Sequence, residues 1–332
     1  MKSLEDLYRI PGLYSSPNMF SPPSERLDHV IQFELTKGCS WGKCTFCGGY
    51  CGIKYSIKTP EEYKQHVDNI WRLIGEKYFS RKLKRIFVGG GNSLNIDGEM
   101  LHQLLLYTQI EFSKNIGRTP NRVALYGRTT DILKHGKDGM ANLCHGGRWR
   151  KGKKWYVRSK YFPAVLDLIY WGVESGSDDV LRYVQKGCTS RNMIDAATIL
   201  RTVNMNTSVM IMPGLGGIKH YIEHVERTAE LLGVIRPRFL TFMGVNAGIQ
   251  SLYAQKMRQE EEGGINRPLT QKETAEQMIE IIEKMPFFET KIGCFNTDVD
   301  AVGCNYLPFG SYNISDRGGK NSLSSQLRYA LK

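Results

Sequence analysis

Six short apolar segments alternate with segments of helical periodicity in this 332-residue chain, and this alternation constrains the fold more than any other feature. The apolar segments have the composition of strands and comprise residues 30–36, 84–89, 123–126, 166–174, 208–212 and 239–243. The helical segments comprise residues 60–78, 98–112, 190–203 and 219–232. Strands that alternate with helices predict βαβ units, a parallel sheet and right-handed crossovers. We therefore expect an α/β fold, namely an open six-unit (β/α)6 barrel of the TIM type.

The sequence divides into three regions around this alternation. Residues 1–29 are rich in Pro and Ser and predict an N-terminal arm laid on the surface. Residues 30–245 form the predicted barrel, which a basic insertion interrupts at residues 134–160. Residues 246–332 form a predicted C-terminal extension, in which residues 271–284 are a helix and the rest is irregular.

The basic insertion, residues 134–160, supplies eight of the twelve net positive charges, because it holds nine Lys or Arg and one acidic residue. Such asymmetry is typical of a surface for a polyanionic partner, and Trp149, Trp155 and Tyr156 are able to stack on unpaired bases. A solvated surface loop explains the same charges. Both interpretations stay open at this point.

Three cysteines, Cys39, Cys44 and Cys47, lie within nine residues directly after the first predicted strand. The other five cysteines are scattered and are Cys51, Cys144, Cys188, Cys294 and Cys304. In a reducing compartment such a cluster is more often metal-binding than disulfide-bonded. Three thiolates on one loop can bind three irons of a cubane cluster and leave the fourth iron open to a substrate or cofactor.

The C-x4-C-x2-C spacing has three other interpretations. A plant-type ferredoxin has the same spacing, but its domain is small and mainly antiparallel, and its fourth cysteine lies fairly close downstream. A structural zinc site uses four ligands, commonly as two pairs, and the sequence has no second pair. Three ordinary buried cysteines are a poor explanation for so dense a run.

The segment at residues 38–47, Gly-Cys-Ser-Trp-Gly-Lys-Cys-Thr-Phe-Cys, resembles the cysteine motif of the radical S-adenosylmethionine (SAM) superfamily. The commonest spacing in that superfamily has three residues between the first two cysteines, whereas this chain has four. The segment is similar to that of a large, mostly uncharacterised group of iron–sulfur oxidoreductases, which is related to the cobalamin-binding radical SAM class but lacks the cobalamin domain. The resemblance extends over residues 30 to about 310.

Two further stretches resemble SAM-binding motifs of this group. The first, with Gly90, Gly91 and Asn92, follows the second predicted strand, where the superfamily has a glycine-rich turn that binds the amino group of SAM. A tight turn also explains these glycines. The second contains Glu174 and Ser175, and the resemblance places both beside the ribose and methionyl groups of SAM. A serine here also suits the N-cap of the next helix.

Single residues complete the site that the resemblance implies. Lys186 matches the position that pairs with the SAM carboxylate, and Met212 and Pro213 match a turn near the adenine. Phe46, between two cysteines, would shield the cluster and pack against the adenine. Without the resemblance, Lys186 is a surface lysine and Phe46 packs its own loop. A looser similarity covers residues 305–308, Asn-Tyr-Leu-Pro.

The resemblance implies an enzyme with two cofactors, a [4Fe–4S] cluster on Cys39, Cys44 and Cys47 and a molecule of SAM. An electron from an external donor of the flavodoxin or ferredoxin type reduces the cluster, and SAM is then cleaved at a sulfur–carbon bond. The resulting 5′-deoxyadenosyl radical abstracts hydrogen from a substrate. The protein positions the reactants and excludes water.

Three functions are compatible with the sequence. The leading one is the radical modification of a small molecule, and the second is the same chemistry on RNA or a peptide through the basic insertion. The third is an iron–sulfur electron-transfer protein that does not cleave SAM. We expect a cytoplasmic protein without a membrane partner, because the sequence has no apolar run of about 18 residues and no signal-peptide pattern at its start.

Two other signals carry little weight. His220 and His224 form an H-x-x-E-H pattern, which is found in zinc proteases, but motifs of five residues recur by chance. Cys294 and Cys304 are candidates for an auxiliary cluster, but two cysteines are too few for a complete site, so buried thiols without a function are the better explanation.

Overall fold

The computed structural model describes ten segments of the chain, which form two compact units. The described segments are residues 4–15, 21–50, 52–75, 82–144, 148–151, 154–157, 165–245, 247–248, 250–294 and 310–331. The first unit comprises residues 1–42, 52–170 and 199–206. The second unit comprises residues 43–51, 171–198 and 207–332.

The first unit is a sheet with helices, and it begins with α1 (Leu4–Tyr8). Its sheet strands are β1 (Val30–Gly38), β2 (Ser56–Ile57), β3 (Arg85–Gly91) and β4 (Arg122–Gly127). Its other helices are α2 (Pro60–Ile74), α3 (Gly98–Ile116) and α4 (Thr129–Cys144). The strand order is β2-β1-β3-β4, in which β1, β3 and β4 run parallel and β2 is antiparallel to β1. A separate hairpin follows, formed by β5 (Arg148–Lys151) and β6 (Lys154–Val157).

Strand β7 (Leu168–Glu174) starts in the first unit and ends in the second. The strands that follow are β8 (Asn206–Ile211), β9 (Phe239–Phe242), β10 (Thr290–Cys294) and β11 (Gly310–Ile314). The helices are α5 (Asp178–Tyr183), α6 (Ser190–Thr202), α7 (Tyr221–Ile235), α8 (Leu252–Glu262), α9 (Gln271–Lys284) and α10 (Arg317–Ala330). Strands β8, β9 and β10 are parallel neighbours in this order, and β11 is antiparallel to β10.

The fold is α/β, with a mostly parallel sheet that does not close. This confirms the fold class that the alternation of the sequence predicted. The six predicted strands correspond to β1, β3, β4, β7, β8 and β9, and each observed bound lies within two residues of the predicted one. No helix in the described segments is long and apolar enough to cross a membrane.

The basic insertion predicted at residues 134–160 is not a single loop. Its first eleven residues belong to helix α4, which buries Ile132, Met140 and Leu143. Gly136, with φ 62°, interrupts the helical backbone, which is why the helical pattern is hard to recognise in the sequence. Of the remainder, the structure describes only the backbone of β5 and β6, so the side chains of the aromatic residues in this insertion lie outside the described part.

The N-terminal arm and the C-terminal extension are more ordered than predicted. Leu7 is fully buried and Tyr14 is nearly so, so residues 4–15 pack into the first unit instead of lying on its surface. The Tyr14 hydroxyl donates to the Gln32 carbonyl oxygen at 2.9 Å. In the extension, β10 continues the parallel sheet beside β9 and buries Ile292. A five-residue strand with a lysine and a glycine has too weak a pattern to be recognised from sequence.

A buried histidine supports the centre of the first unit. His66, on helix α2, is 6% exposed, and its Nε2 accepts a hydrogen bond from the backbone N–H of Glu34 at 3.0 Å. Burial, together with the charge of the neighbouring Lys58, lowers the pKa of His66 to about 4. The ring is therefore neutral at pH 7, as an accepting nitrogen requires.

Acidification is expected to destabilise the protein through His66. In the unfolded chain a histidine takes up a proton near pH 6.5, whereas His66 in the folded chain does so only near pH 4. Protons therefore favour the unfolded state as the pH falls through this window, and His66 costs about 2 kcal/mol of stability at pH 5 relative to pH 7.5. Urea unfolding at the two pH values measures this loss of stability. In His66→Gln the loss should be about 2 kcal/mol smaller than in the wild type.

The control for this experiment is His135→Gln, which should keep the full pH dependence because His66 is still present. Equal losses in the wild type and in His66→Gln would contradict the assignment.

Candidate functional site

The cysteine loop starts where strand β1 ends. Cys39 follows Gly38, and the thiols of Cys39, Cys44 and Cys47 are half-buried. The backbone N–H of Cys47 donates to the Cys44 carbonyl oxygen at 3.1 Å, which closes a turn between these two cysteines. No three Cys, His, Asp or Glu side chains are grouped as metal ligands in the described segments. The assignment of these cysteines to a cluster therefore remains a prediction from their spacing.

Asn92 holds the first part of this loop. It follows β3, is 4% exposed, and its Oδ1 accepts from the backbone N–H of Ser40 at 2.9 Å. Its Nδ2 donates to Ser40 Oγ at 2.8 Å and to Asp131 Oδ2 at 2.9 Å. The amide predicted to face SAM thus fixes the residue next to Cys39, so its side chain positions the loop.

Asp131 and Arg128 support Asn92 and the loop from the segment after β4, and the sequence analysis missed both. Burial raises the pKa of Asp131, whereas its hydrogen bond from Asn92 lowers it. The backbone N–H of Arg128 donates to Asp131 Oδ2 at 3.0 Å, and its guanidinium lies 5.3 Å from the centre of the Trp41 ring. Charged residues directly after a predicted parallel strand were the available signal.

Gly90 and Gly91 are required by strand β1. Both have positive φ, 98° and 157°. A Cβ on Gly90 would lie 1.7 Å from the Thr36 carbonyl oxygen, and a Cβ on Gly91 would lie 1.7 Å from that of Gly38. These glycines therefore allow the end of β3 to lie directly against the strand that carries the cysteine loop. This packing explains the glycine-rich turn without a ligand.

The second unit brings together three predicted site residues, Phe46, Glu174 and Lys186. Lys186 Nζ and Glu174 Oε1 form an ion pair at 2.9 Å, and both side chains are 9% exposed. The same ammonium lies 5.9 Å from the centre of the Phe46 ring. Although burial lowers the pKa of Lys186, the charges of Glu174 and Cys44 raise it above its ordinary value. Lys186 is thus a buried cation and not a surface lysine.

The conformation of Glu174 explains why residue 172 is a glycine. Glu174 ends strand β7 with φ 66°, a left-handed conformation that is uncommon for residues other than glycine. A Cβ on Gly172 would lie 2.4 Å from Glu174 Oε1 and 3.1 Å from Lys186 Nζ. The Glu174 side chain therefore folds back over Gly172 to reach Lys186, and a side chain at residue 172 would displace one of these two charged groups.

The two serines of this stretch have different roles. Ser177 is the N-cap of helix α5, and its side chain accepts from the Val180 N–H at 3.2 Å. Ser175 is fully buried, and its hydroxyl is hydrogen-bonded to His224 at 2.6 Å. His220, the other histidine of the zinc-like pattern, instead packs 5.5 Å from the Tyr183 ring. The pattern forms no metal site among the described residues.

The loop after β8 and the Phe46 side chain share one apolar cluster. Met212 packs against this cluster, and its backbone N–H donates to the Glu174 carbonyl oxygen at 3.0 Å. The buried members of the cluster are Phe46, Val180, Val184, Leu215, Tyr253 and Met257. Cys44 is partly buried against it. Phe46 therefore packs the cysteine loop against helix α5, helix α8 and the loop after β8.

A cavity of about 380 Å³ lies in the second unit at the carboxyl ends of β8 and β9. Pro213 and Gly214 line it from the loop after β8, and Val245 and Ala247 line it from the loop after β9. The rest of its wall comes from helix α8, from Pro268 and Leu269, and from the start of α9. A volume of this size suits a small molecule or part of one.

The remaining cysteine predictions are only partly covered by the structure. Burial raises the pKa of Cys144 to about 11, so this thiol is unreactive at neutral pH. Cys188 is a half-buried free thiol. Cys51, Cys304 and residues 305–308 lie outside the described residues, as does the side chain of Cys294.

Residues 33–232 match the radical SAM superfamily, and this match covers more than half of the chain. The chain belongs to the radical SAM superfamily. Members of this superfamily are enzymes. The cofactors of these enzymes are a [4Fe–4S] cluster and SAM, and the enzymes need an electron donor.

One curated relative and several solved structures are similar to this chain. The 4′-phospho-dehydrooxetanocin synthase of Priestia megaterium is 27% identical over 222 residues, which are 61% of this chain and 26% of the relative. The chain thus spans about a quarter of the length of that relative. The archaeal Methanocaldococcus infernus Elp3 is 11% identical with a TM-score of 0.48, covering 92% of this chain and 64% of the other. The cobalamin-dependent enzyme OxsB, with SAM bound, is 16% identical with a TM-score of 0.40, covering 72% and 31%.

Gly90→Ala is expected to cost more than about 3 kcal/mol of stability, because its new methyl group collides with the backbone of β1 in a strained conformation. The matched control is Gly117→Ala, which has φ 78° but nothing within 4 Å of the new Cβ. It should cost only about 1 to 2 kcal/mol. Urea unfolding measures both, and equal losses would show that the close packing on β1 is unimportant.

Lys186→Met is expected to cost about 3 to 5 kcal/mol, because it leaves the buried Glu174 carboxylate without its partner. The double variant Glu174→Gln with Lys186→Met should recover most of this loss, since no charge remains buried. Lys114→Met breaks an exposed ion pair with Glu111 and should have little effect on the urea midpoint. A double variant as unstable as the single one would contradict the pairing.

Proposed function

We propose that this chain holds a [4Fe–4S] cluster with Cys39, Cys44 and Cys47, cleaves SAM reductively, and uses the 5′-deoxyadenosyl radical to abstract hydrogen from a small-molecule substrate. Three half-buried thiols on one loop after a strand are the donor set for a cubane cluster with one open iron. When bound, the two cofactors supply the radical chemistry. The chain supplies binding, orientation and the exclusion of water.

The buried pair of Lys186 and Glu174, beside Phe46, is the observation that carries this proposal. A buried ion pair adds little stability compared with apolar residues of the same size, so its presence favours a role in binding a charged ligand. The ammonium of Lys186 suits the carboxylate of SAM, and the carboxylate of Glu174 suits hydroxyl or ammonium groups. The raised pKa of Lys186 keeps it charged for this purpose at neutral pH.

Other residues of the chain would orient SAM without contributing charge. The backbone of Gly90, Gly91 and Asn92 would bind its amino group, while the Asn92 side chain keeps Ser40 and the cysteine loop in place. Met212 and Pro213 would border the adenine. Met212 packs against the apolar cluster that contains Phe46, and Pro213 lines the cavity. Ser175 has a supporting role, since its hydroxyl is fully buried.

The cavity in the second unit favours a small-molecule substrate over RNA or a peptide. Its volume of about 380 Å³ fits part of a metabolite, and Tyr253 and Met257 of its wall pack in the cluster that contains Phe46. The wall is lined largely by residues beyond residue 232, where the family match ends. The curated relative is named for a small-molecule product, 4′-phospho-dehydrooxetanocin. The chain spans only 26% of that relative.

The electron donor is proposed to be a flavodoxin or ferredoxin, which supplies one electron at a time. A reducing compartment such as the cytoplasm would keep the three thiols of this loop reduced.

Anaerobic reconstitution of the full chain with iron and sulfide, followed by dithionite and SAM, is expected to yield 5′-deoxyadenosine. Cys44→Ala should lose the cluster absorbance and reduce the yield at least about a hundred-fold, because two thiolates do not hold a cubane. The matched control is Cys144→Ala, which removes a thiol in helix α4 and should retain the yield. Chromatography measures the product.

A reducible [4Fe–4S] cluster that neither cleaves SAM nor changes its spectrum when SAM is added would overturn the proposal. The electron-transfer function would then be the better interpretation.

A further inference from the structure

The turn that follows Glu174 is attached to helix α7 by side-chain hydrogen bonds. Ser175 Oγ and His224 Nδ1 lie 2.6 Å apart, and both residues are fully buried. The backbone N–H of Gly176 donates to Thr228 Oγ1 at 2.9 Å. These bonds fix two consecutive residues of the turn to positions one helical turn apart on α7.

A third bond extends the attachment to the next residue. The Ser177 hydroxyl donates to Glu223 Oε1 at 2.8 Å. A Cβ on Gly176 would lie 2.2 Å from the Arg227 carbonyl oxygen, so the backbone of the turn lies directly on the helix. The turn of residues 175–177 is therefore held at every residue by the segment 223–228 of α7.

This attachment explains how Glu174 stays in a strained conformation. A left-handed φ of 66° at a residue other than glycine is unfavourable unless the surrounding structure enforces it. The turn on α7 fixes the backbone after Glu174, and the bond from the Met212 N–H to the Glu174 carbonyl oxygen fixes the residue itself. The result is that the Glu174 carboxylate meets Lys186.

The hydrogen bond between Ser175 and His224 involves a neutral imidazole. Ser175 Oγ accepts from the Ser177 N–H at 3.0 Å, and in the tautomer with an unprotonated Nδ1 the Ser175 hydroxyl donates to His224. Burial lowers the pKa of His224 to about 4, and the ring is neutral at pH 7. His220, one turn earlier, makes no such contact and packs on Tyr183.

We infer that Glu223, His224 and Thr228 are positioning residues, which hold the carboxylate of Glu174 in the orientation that binds SAM. The role of Glu223 and His224 in the H-x-x-E-H segment is thus to anchor a strained turn and not to bind zinc. This inference rests on the proposed function, because it assigns the anchored carboxylate to SAM.

The test compares two substitutions of His224 in the full chain. His224→Phe keeps an aromatic ring but removes the nitrogen that accepts from Ser175, and His224→Asn places an oxygen where that nitrogen was. After cluster reconstitution, equilibrium dialysis with SAM should give a dissociation constant about tenfold higher for His224→Phe and within about threefold of the wild type for His224→Asn. The cluster content of both should equal that of the wild type.

Two further variants separate positioning from general damage. His220→Phe changes the other histidine of the pattern and should leave SAM affinity unchanged, whereas zinc binding would need both histidines. His102→Phe replaces a buried histidine of the other unit, 2% exposed, and should lower stability without changing SAM affinity.

Hydrogen exchange of the peptide covering residues 172–186, measured without SAM, tests the anchor independently of the cofactor. Exchange should be about tenfold faster in His224→Phe than in the wild type, and nearly normal in His224→Asn. Unchanged exchange in His224→Phe would disprove the anchor. Faster exchange with unchanged SAM affinity would disprove the positioning role and leave the proposed function intact. A wild-type cluster that does not bind SAM would refute the proposed function and the positioning role, even if exchange had supported the anchor.

Discussion

The buried ion pair between Lys186 and Glu174 imposes the strictest demands on the second unit. Two opposite charges removed from water are stable only when they meet closely and keep their partners. Their meeting requires space over Gly172 and a left-handed backbone at Glu174. The strain at Glu174 in turn requires a firm support, which the hydrogen bonds to helix α7 provide. The ion pair between Lys186 and Glu174 thus explains why the turn after Glu174 is hydrogen-bonded to helix α7.

The first unit solves a related problem with uncharged groups. The first part of the cysteine loop follows β1, and it is held by Asn92, which is itself oriented by Asp131. The end of β3 can carry Asn92 to this position only because Gly90 and Gly91 let two backbones touch. In both units a glycine, which has no side chain, leaves room for a polar group of a nearby residue. The glycines of a predicted ligand-binding turn therefore serve first to pack the strands of the sheet.

Much of the architecture and part of the site could be predicted from sequence. Strand periods and the C-x4-C-x2-C spacing are local patterns, so the parallel strands β1, β3, β4, β7, β8 and β9, the fold class and the superfamily followed from them. Helix α4 was missed because Gly136 breaks its pattern, and β10 was missed because a short strand has little pattern to break. Asp131, Arg128 and the role of His224 were missed because their partners lie far away in sequence.

The sequence by itself determined the chemistry that the chain can offer: three adjacent thiols, a lysine and a glutamate near strand ends, and an alternation that forms a parallel sheet. Only the tertiary structure decided which of these groups meet. Lys186 could have been a surface lysine, and the histidines of the H-x-x-E-H segment could have shared a metal. Packing buried one of them against Ser175 and left the other beside Tyr183. The physical reason is that the free-energy cost of burying a polar group depends on its hydrogen-bonding or ionic partner. The tertiary fold determines which partner each group meets.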